Sequence, residues 1–418
     1  MSSLSRKRGR PAAGAVLLAG CAWSGAGWSQ QMYFTPKVEV GAEYHTNREM
    51  TTIKDLEDES QAYIARLEAT LGRRTPLGGT ELRPRVVLQE FPDRDGVDPV
   101  EVFLDWRTQR TTLKHDFDWL ARYSRQDTYN AEFGRASFDD IDPDNPQQPG
   151  TESGIVLSGD TRTRITLGPT YEYKLSERSF LGAEADVERQ RYSRNNNDFD
   201  DRLGYDSYSA GVSYGRVLSQ RASWSIGPYF AHYDADEEDI TNESVGGTID
   251  FSYRWSQVTE ANVALSFEKN DSEERLTTGE VLEDSSSNFG LEFSGRRRGR
   301  VGSLRYSIGR FLKPSSIGSR TEVDQFQVQY DRPLSPRLSL NTAVRLAQES
   351  RVSLSSDDDR ERKLARAEIS LTRALTQTLY VTGGVRYAWQ KFEGSTDRKA
   401  DDTAAILTFG YKGRGPSK

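Results

Sequence analysis

The chain has 418 residues, 28% charged and 35% hydrophobic, with a mean hydropathy of −0.73 and a formal net charge of −7. No run approaches the roughly 18 to 20 apolar residues that a spanning helix requires, and the acidic balance gives no reason to expect a nucleic-acid partner. Disorder is the other reading of so polar a chain, but 19 Tyr, 17 Phe and 7 Trp argue against it.

Residues 1–30 read as a signal peptide. "SRKRGR" is a charged n-region and "AAGAVLLAGCA" a short apolar h-region. Two processing routes compete. "LAGC", Leu18 to Cys21, resembles a lipobox and would place lipid on Cys21, whereas "GWSQQ" offers Gly27 and Ser29 before a signal-peptidase cut. Either route takes the chain out of the cytoplasm. The single Cys excludes an intrachain disulfide framework.

Residues 31–418 read as one β domain. "KVEVGAEYHTN" puts Val38, Val40, Ala42 and Tyr44 on one parity and Lys37, Glu39, Glu43 and His45 on the other, the period of a strand with two unlike faces. "AYIARLEATL" contains good helix formers, but its apolar residues recur every second position (Tyr63, Ala65, Leu67, Ala69, Leu71), so period outranks propensity. "RITLGPTYEYKL", "GTIDFSYRW", "ANVALSFEK", "NFGLEFSG", "LYVTGGVRYAWQ" and "AAILTFGY" repeat the alternation. About 18 such segments of roughly ten residues match the length of a tilted spanning strand.

Connectors alternate in character. "TPLGG", "TQRTT", "LSER", "LSQR", "SQVTE", "LSPR" and "ALTQT" are short; "REMTTIKDLEDES", "NNNDFDDR", "DADEEDITNE", "SSDDDRER" and "STDRKADD" are longer and charged, and the longest runs from about 126 to 160. Short turns on one rim and long polar loops on the other is the pattern of an outer-membrane barrel. Filling a dry interior with the charged parity is prohibitive, whereas a barrel of this size keeps it wet. The expected fold is an all-β, transmembrane, antiparallel up-and-down β-barrel of about 18 strands (16–18), in the outer membrane of a Gram-negative bacterium, with both termini periplasmic.

The charged parity names the lumen-lining candidates: Arg66, Glu68, Arg83, Arg85, Asp105, Arg107, Asp116, Asp118, Arg122, Arg164, Glu184, Asp186, Glu188, Arg254, Glu292 and Arg305. Their mixed sign implies weak charge selectivity unless the signs segregate in space. A basic series (Arg73, Arg74, Arg107, Arg110, Arg178, Arg221 and "RRRGR") falls at the short-turn rim. It reads either as contact with anionic lipid or, less readily, as a funnel for anionic solutes. The acidic loops read first as a solvated surface; none has the spacing of a calcium loop. His45, His115 and His232 fall on separate strands, and no nucleophile–base–orienter set can be assembled. No enzyme, cofactor or metal site is expected.

The opening strand "PKVEVGAEYHTN" resembles that of the outer-membrane β-barrel porin family of the beta-barrel porin 2 type, often found beside exopolysaccharide-synthesis genes. The resemblance lies in a Pro, an alternating run and Gly-x-x-Tyr-x-x-Asn, here Gly41, Tyr44 and Asn47. That family commonly has an acidic residue before the Asn, where this chain has Thr46. The resemblance implies outer-membrane passage of polysaccharide and a periplasmic export partner. The expected function is a passive conduit for polysaccharide export or hydrophilic solutes, narrowed by the loop at 126–160. The alternatives are a non-transporting surface barrel whose acidic loops bind cations, lipopolysaccharide or secreted polymer, and, last, a rim hydrolase. Expected partners are outer-membrane lipid, lipopolysaccharide and the barrel-assembly machinery.

Overall fold

The computed structural model describes residues 31–48, 50, 59–92, 100–133, 161–193, 204–235, 240–275, 280–314, 320–351, 361–393 and 398–413. The signal peptide, Cys21 and the middle of each long connector lie outside the described residues. The strands are β1 (Gln31–His45), β2 (Ser60–Thr75), β3 (Gly78–Glu90), β4 (Val100–Thr111), β5 (His115–Asp127), β6 (Thr161–Lys174), β7 (Ser179–Ser193), β8 (Tyr205–Ser219) and β9 (Ala222–Ala235). They continue as β10 (Ile240–Ser256), β11 (Thr259–Arg275), β12 (Val281–Arg298), β13 (Ser303–Pro314), β14 (Arg320–Ser335), β15 (Leu338–Arg351), β16 (Glu361–Ala374), β17 (Leu379–Glu393) and β18 (Arg398–Lys412). One short helix, α1 (Thr128–Phe133), follows β5.

The strands form one 18-stranded sheet in which each is antiparallel to the next. β18 then pairs with β1, from Lys37 opposite Lys412 to His45 opposite Ala404, and closes the ring. The fold is therefore a closed antiparallel up-and-down β-barrel, as the alternation predicts.

Parity sets the two surfaces. Phe34 (56% exposed), Leu407 (51%) and Phe409 (55%) face outward and bare, while Glu39, Glu43, Gln190, Arg362, Arg386 and Asp402 face inward and are buried. This inverts a water-soluble protein. The strands are longer than the ten residues expected, from 12 in β4 to 18 in β12. Stretches read from the sequence as loops are partly strand: Arg398–Asp402 of "STDRKADD" begins β18, and Ile240–Glu243 of "DADEEDITNE" begins β10. Their charges had marked them as loop, but a strand that overshoots the apolar belt carries charge on both faces.

The turns at one rim are tight, and the described chain begins and ends there. Several share one device: a Ser or Thr hydroxyl accepts from the backbone N–H two residues on, as in Ser219 to Arg221 (3.1 Å), Ser335 to Arg337 (3.3 Å) and Thr376 to Thr378 (3.2 Å). Three of the prolines inside strands, Pro84, Pro169 and Pro228, interrupt a ladder, since each lacks a donor. Pro84 keeps its place opposite Leu104 while the β2–β3 ladder jumps from Glu68–Arg85 to Leu71–Leu82. Pro169 and Pro228 break the β6–β7 and β8–β9 ladders in the same way. The region around Pro84 is thus β3 with a local break.

Three rows across the inner wall repeat one arrangement. Tyr33 on β1 lies opposite Gly72 on β2, which lies opposite Glu81 on β3, and the Tyr33 hydroxyl donates across the glycine to Glu81 at 2.8 Å. Tyr229, Gly246 and Glu268 do the same on β9 to β11 (2.6 Å). Tyr380, Gly410 and Glu39 do so on β17, β18 and β1 (2.8 Å). The glycine is required by space. A Cβ on Gly72 would sit 2.0 Å from Cζ of Tyr33, and one on Gly410 2.2 Å from Cζ of Tyr380.

Replacing Gly72 or Gly410 by Ala should therefore displace a tyrosine ring and break its bond to the carboxylate. The expected cost is about 1–3 kcal/mol each, read as a lowered urea midpoint of the refolded barrel. An unchanged midpoint in both variants would show that the rings do not depend on the gap.

Candidate functional site: the charged lumen

The inward parity of the strands makes the site, because it points every second side chain at the barrel axis. Two cavities lie along it. The larger, about 740 Å³, is lined by residues from most of the strands and by Asn130 and Ala131 of α1. The smaller, about 440 Å³, lies on the β4–β10 side and reaches towards the short-turn rim.

Of the sequence-predicted residues, Arg66, Glu68, Arg85, Asp105, Arg122, Arg164, Glu184, Asp186, Glu188 and Glu292 line the larger cavity. Asp116, Asp118 and, again, Glu184 line the smaller. Arg83, Arg107, Arg254 and Arg305 line neither. Arg83 bonds Glu81 (2.8 Å), Arg107 bonds Asp118 (2.6 Å), Arg305 stands 3.6 Å from Asp331, and Arg254 lies opposite Glu260 in register. The larger cavity also takes Lys313, Arg320, Arg345, Arg366, Glu368 and Arg386, which sequence reasoning passed over. Inward parity on β13 and β15 to β17 was the available signal for all but Arg320, which opens β14 on the parity of Glu322 and Asp324.

Most of these charges are paired at short range: Arg66–Glu39 (2.5 Å), Arg164–Glu188 (2.6 Å), Arg366–Glu368 (3.1 Å) and Lys313–Glu349 (3.1 Å), with Arg362 on the second oxygen of Glu349 (3.5 Å). Arg320 reaches from β14 to Glu268 on β11 (3.3 Å) and to the Ser244 hydroxyl on β10. Pairing keeps the wall nearly neutral and narrows the passage, since each pair extends inward over the sheet. The signs do segregate in one place. The smaller cavity is lined by Asp116, Asp118, Glu172, Glu184 and Asp250 together with Thr111, Thr170, Ser213, Ser225 and Thr248, and by no lysine or arginine.

At the long-connector rim the wall is covered from within. Asp127 caps α1, its Oδ1 accepting from the Tyr129 N–H at 2.9 Å. α1 turns into the barrel, and its Tyr129 is fully buried. The Tyr129 hydroxyl donates to Asp402 on β18 (2.5 Å), and Asn130 donates to Gln89 on β3 and Glu101 on β4 (2.9 and 2.8 Å). The segment after β1 folds in beside it. Arg48, also fully buried, lies between the rings of Phe91 (4.3 Å) and Tyr129 (5.0 Å) and pairs with Asp127 (3.1 Å). Met50 holds a left-handed backbone, φ 50°, and packs with Tyr129, Ala388 and Ala400.

Asp402 is the hub of this cover. It accepts from Nδ1 of His45 (2.8 Å), from the backbone N–H of Thr46 (3.0 Å) and Asn47 (2.9 Å), and from Tyr129. An ionised carboxylate only accepts, so His45 carries its proton on Nδ1. Burial and the neighbouring carboxylate push the Tyr129 phenol up, so it remains a donor. His45 itself is enclosed, with Glu43 3.4 Å from its Nε2. No substrate can meet it, and it is a structural histidine. The other two face outward: His232 beside Tyr208 and 3.5 Å from Glu243, and His115 bonded to the Tyr171 hydroxyl (2.6 Å).

Because Asp402 joins α1, β18 and the segment after β1, Asp402→Asn should loosen the cover and leave the barrel standing. Amide hydrogen exchange in residues 128–133 should rise by about tenfold or more, the equivalent of roughly 1.4 kcal/mol, while exchange in the strands stays slow. Unchanged exchange in α1 would deny Asp402 this role.

No protein-family model and no curated protein matches this chain. Solved structures do. OccAB3 of Acinetobacter baumannii is 12% identical, with 91% of this chain and 99% of that one covered and a TM-score of 0.44. The outer membrane protein opdK of Pseudomonas aeruginosa gives 12%, 91%, 99% and 0.44. The ferric citrate transporter FecA in its unliganded form gives 11% and 0.44, with 86% of this chain covered; this chain spans 60% of that one. Identities this low carry nothing about what passes through the lumen.

Proposed function

We propose that this chain spans the outer membrane of a Gram-negative bacterium and is a passive conduit for small hydrophilic solutes. The observation that carries this reading is a closed barrel with bare apolar side chains outside and ion-paired, polar side chains around cavities inside. Closure leaves no unpaired sheet edge, which is what hydrocarbon demands of a β structure. The tight turns and both ends of the described chain belong in the periplasm and the long connectors outside.

The interior suits solutes better than a thick polymer. α1 occupies part of the lumen, and the cavities are of a few hundred cubic ångströms. Polysaccharide passage, which the resemblance of the opening strand implies, requires α1 to leave. The acidic chamber favours neutral and cationic solutes over anions. The basic rim makes a poor funnel. Arg107 and Arg296 pair with Asp118 and Glu260, while Arg73, Arg110 and Arg297 lie on the outward parity.

Planar-bilayer recording and liposome swelling test the reading. The expected result is swelling with small neutral sugars and a cation-preferring reversal potential. Glu184→Gln combined with Asp250→Asn should lower the cation-to-anion permeability ratio by about twofold or more. A folded barrel that passes neither ions nor sugars would overturn the conduit and leave the non-transporting surface barrel.

A further inference from the structure

The outward face carries charge at both rims, but the two rims differ in how that charge is answered. At the long-connector rim, outward cations stand beside carboxylates of the barrel itself. Arg191 pairs with Asp206 (3.0 Å), Arg310 with Asp324 (2.5 Å) and Glu322 (3.2 Å), Lys269 with Asp271 (2.8 Å), and Lys363 and Lys391 both with Glu393 (3.0 and 2.9 Å).

At the short-turn rim six outward arginines recur around the barrel, on β2, β4, β8, β12, β14 and β16: Arg73, Arg110, Arg216, Arg297, Arg332 and Arg373. Each lies opposite an apolar residue rather than a carboxylate. Arg73 faces Met32, Arg110 Phe117, Arg216 Trp224, Arg297 Leu304, Arg332 Leu340, and Arg373 Val381. Five are exposed and Arg73 is half-buried. Among the described residues none of the six has an ion-pair partner, and the carboxylates near them, Glu81, Glu172, Glu260 and Asp331, belong to the inward parity. Glu177, in the turn after β6, is the exception, and it adjoins Arg178.

An arginine stem lying on aromatic and aliphatic neighbours, with its guanidinium at the end of the apolar belt, is placed to meet charge at the depth of lipid head groups. We propose that these six arginines form a girdle that binds the phosphodiesters of anionic phospholipid, of the phosphatidylglycerol kind, in the leaflet at the short-turn rim. The guanidinium fork takes two phosphate oxygens at once, and spacing around the ring gives separate lipid sites rather than one basic patch. The girdle rests on the membrane-spanning reading above but not on conduction.

The test uses the refolded full barrel in phosphatidylcholine vesicles containing spin-labelled phosphatidylglycerol or spin-labelled phosphatidylcholine. Insertion is checked separately by heat-modifiable migration. The wild type should immobilise the anionic label about fivefold more strongly than the neutral one, and the preference should shrink in high salt. Replacing all six arginines by Gln should abolish it, replacing all six by Lys should retain most of it, and Lys269→Gln with Lys363→Gln and Lys391→Gln should leave it unchanged. If the sextuple Gln variant fails to fold, Arg110→Gln with Arg216→Gln and Arg332→Gln should lower the preference by about half on the same scale. A barrel that inserts without a preference, or a Gln variant that keeps it, overturns the girdle alone. A barrel that inserts into neither kind of vesicle overturns the membrane reading and the girdle with it.

Discussion

The structure depends on the pairing of β18 with β1. A sheet that faces hydrocarbon cannot leave backbone N–H and C=O groups unanswered at an edge, since each would cost several kcal/mol. Seventeen of the pairings join strands that follow one another in the chain. The eighteenth joins its two ends, from Lys37–Lys412 to His45–Ala404. Closure also makes the inner chemistry. It brings Glu39 within reach of Tyr380 and brings His45 and Thr46 to Asp402. None of these contacts exists in an open sheet.

Closure fixes the inside as well as the outside. Once alternate side chains are committed to lipid, their neighbours are committed to the lumen, whatever their charge. Buried ions are tolerable only when paired and hydrogen-bonded, and the lumen shows how this chain meets the demand. Glu349 is held by both Lys313 and Arg362, and Glu39 by both Arg66 and Tyr380. The cost of losing one partner is a stranded charge, so the wall resists piecemeal change. The acidic chamber follows the rule only in part: Asp116 and Asp118 are paired with Lys174 and Arg107, while Glu172, Glu184 and Asp250 border open, polar space.

How much of this was legible in the sequence follows from the range of each interaction. Alternation is local, so the barrel, a strand number of about 16–18 and the parity of Arg66, Arg164 or Glu188 could be read directly. The alternation of short and long connectors is nearly local and gave the two rims. The cover of the lumen was not legible. α1 has six residues, too few for a helical period to show, and it opens a stretch that reads as loop. Asp402 sits in "STDRKADD", whose charge suggests solvent, yet β18 turns its side chain inward to partners more than 350 residues away in sequence. Arg48 likewise follows the first strand in an apparently exposed run and ends between two rings. The parity reading also missed the pairing of charges around the wall, because parity says which side a residue faces and not whom it meets.

The seam poses a problem that no other strand pair has. Every second consecutive pair is tied by a short turn that limits the register, but β18 and β1 share no connector of any length, and a slip of one residue would turn lumen charges into lipid. The side chains supply the missing constraint. Of the three tyrosine–glycine–glutamate rows, one crosses the seam from Tyr380 over Gly410 to Glu39, and a second, from Tyr33 over Gly72 to Glu81, stands on the next pair along. Asp402 adds a third clamp at the other rim, where it holds the backbone of Thr46 and Asn47 just beyond the end of β1. In a slipped seam Gly410 would face Val38 or Val40 rather than Glu39, and the Tyr380 hydroxyl would lose the carboxylate. The register of the closing pair is therefore written in side chains on β17, β18 and β1, which is where a barrel joined only by its chain ends needs it.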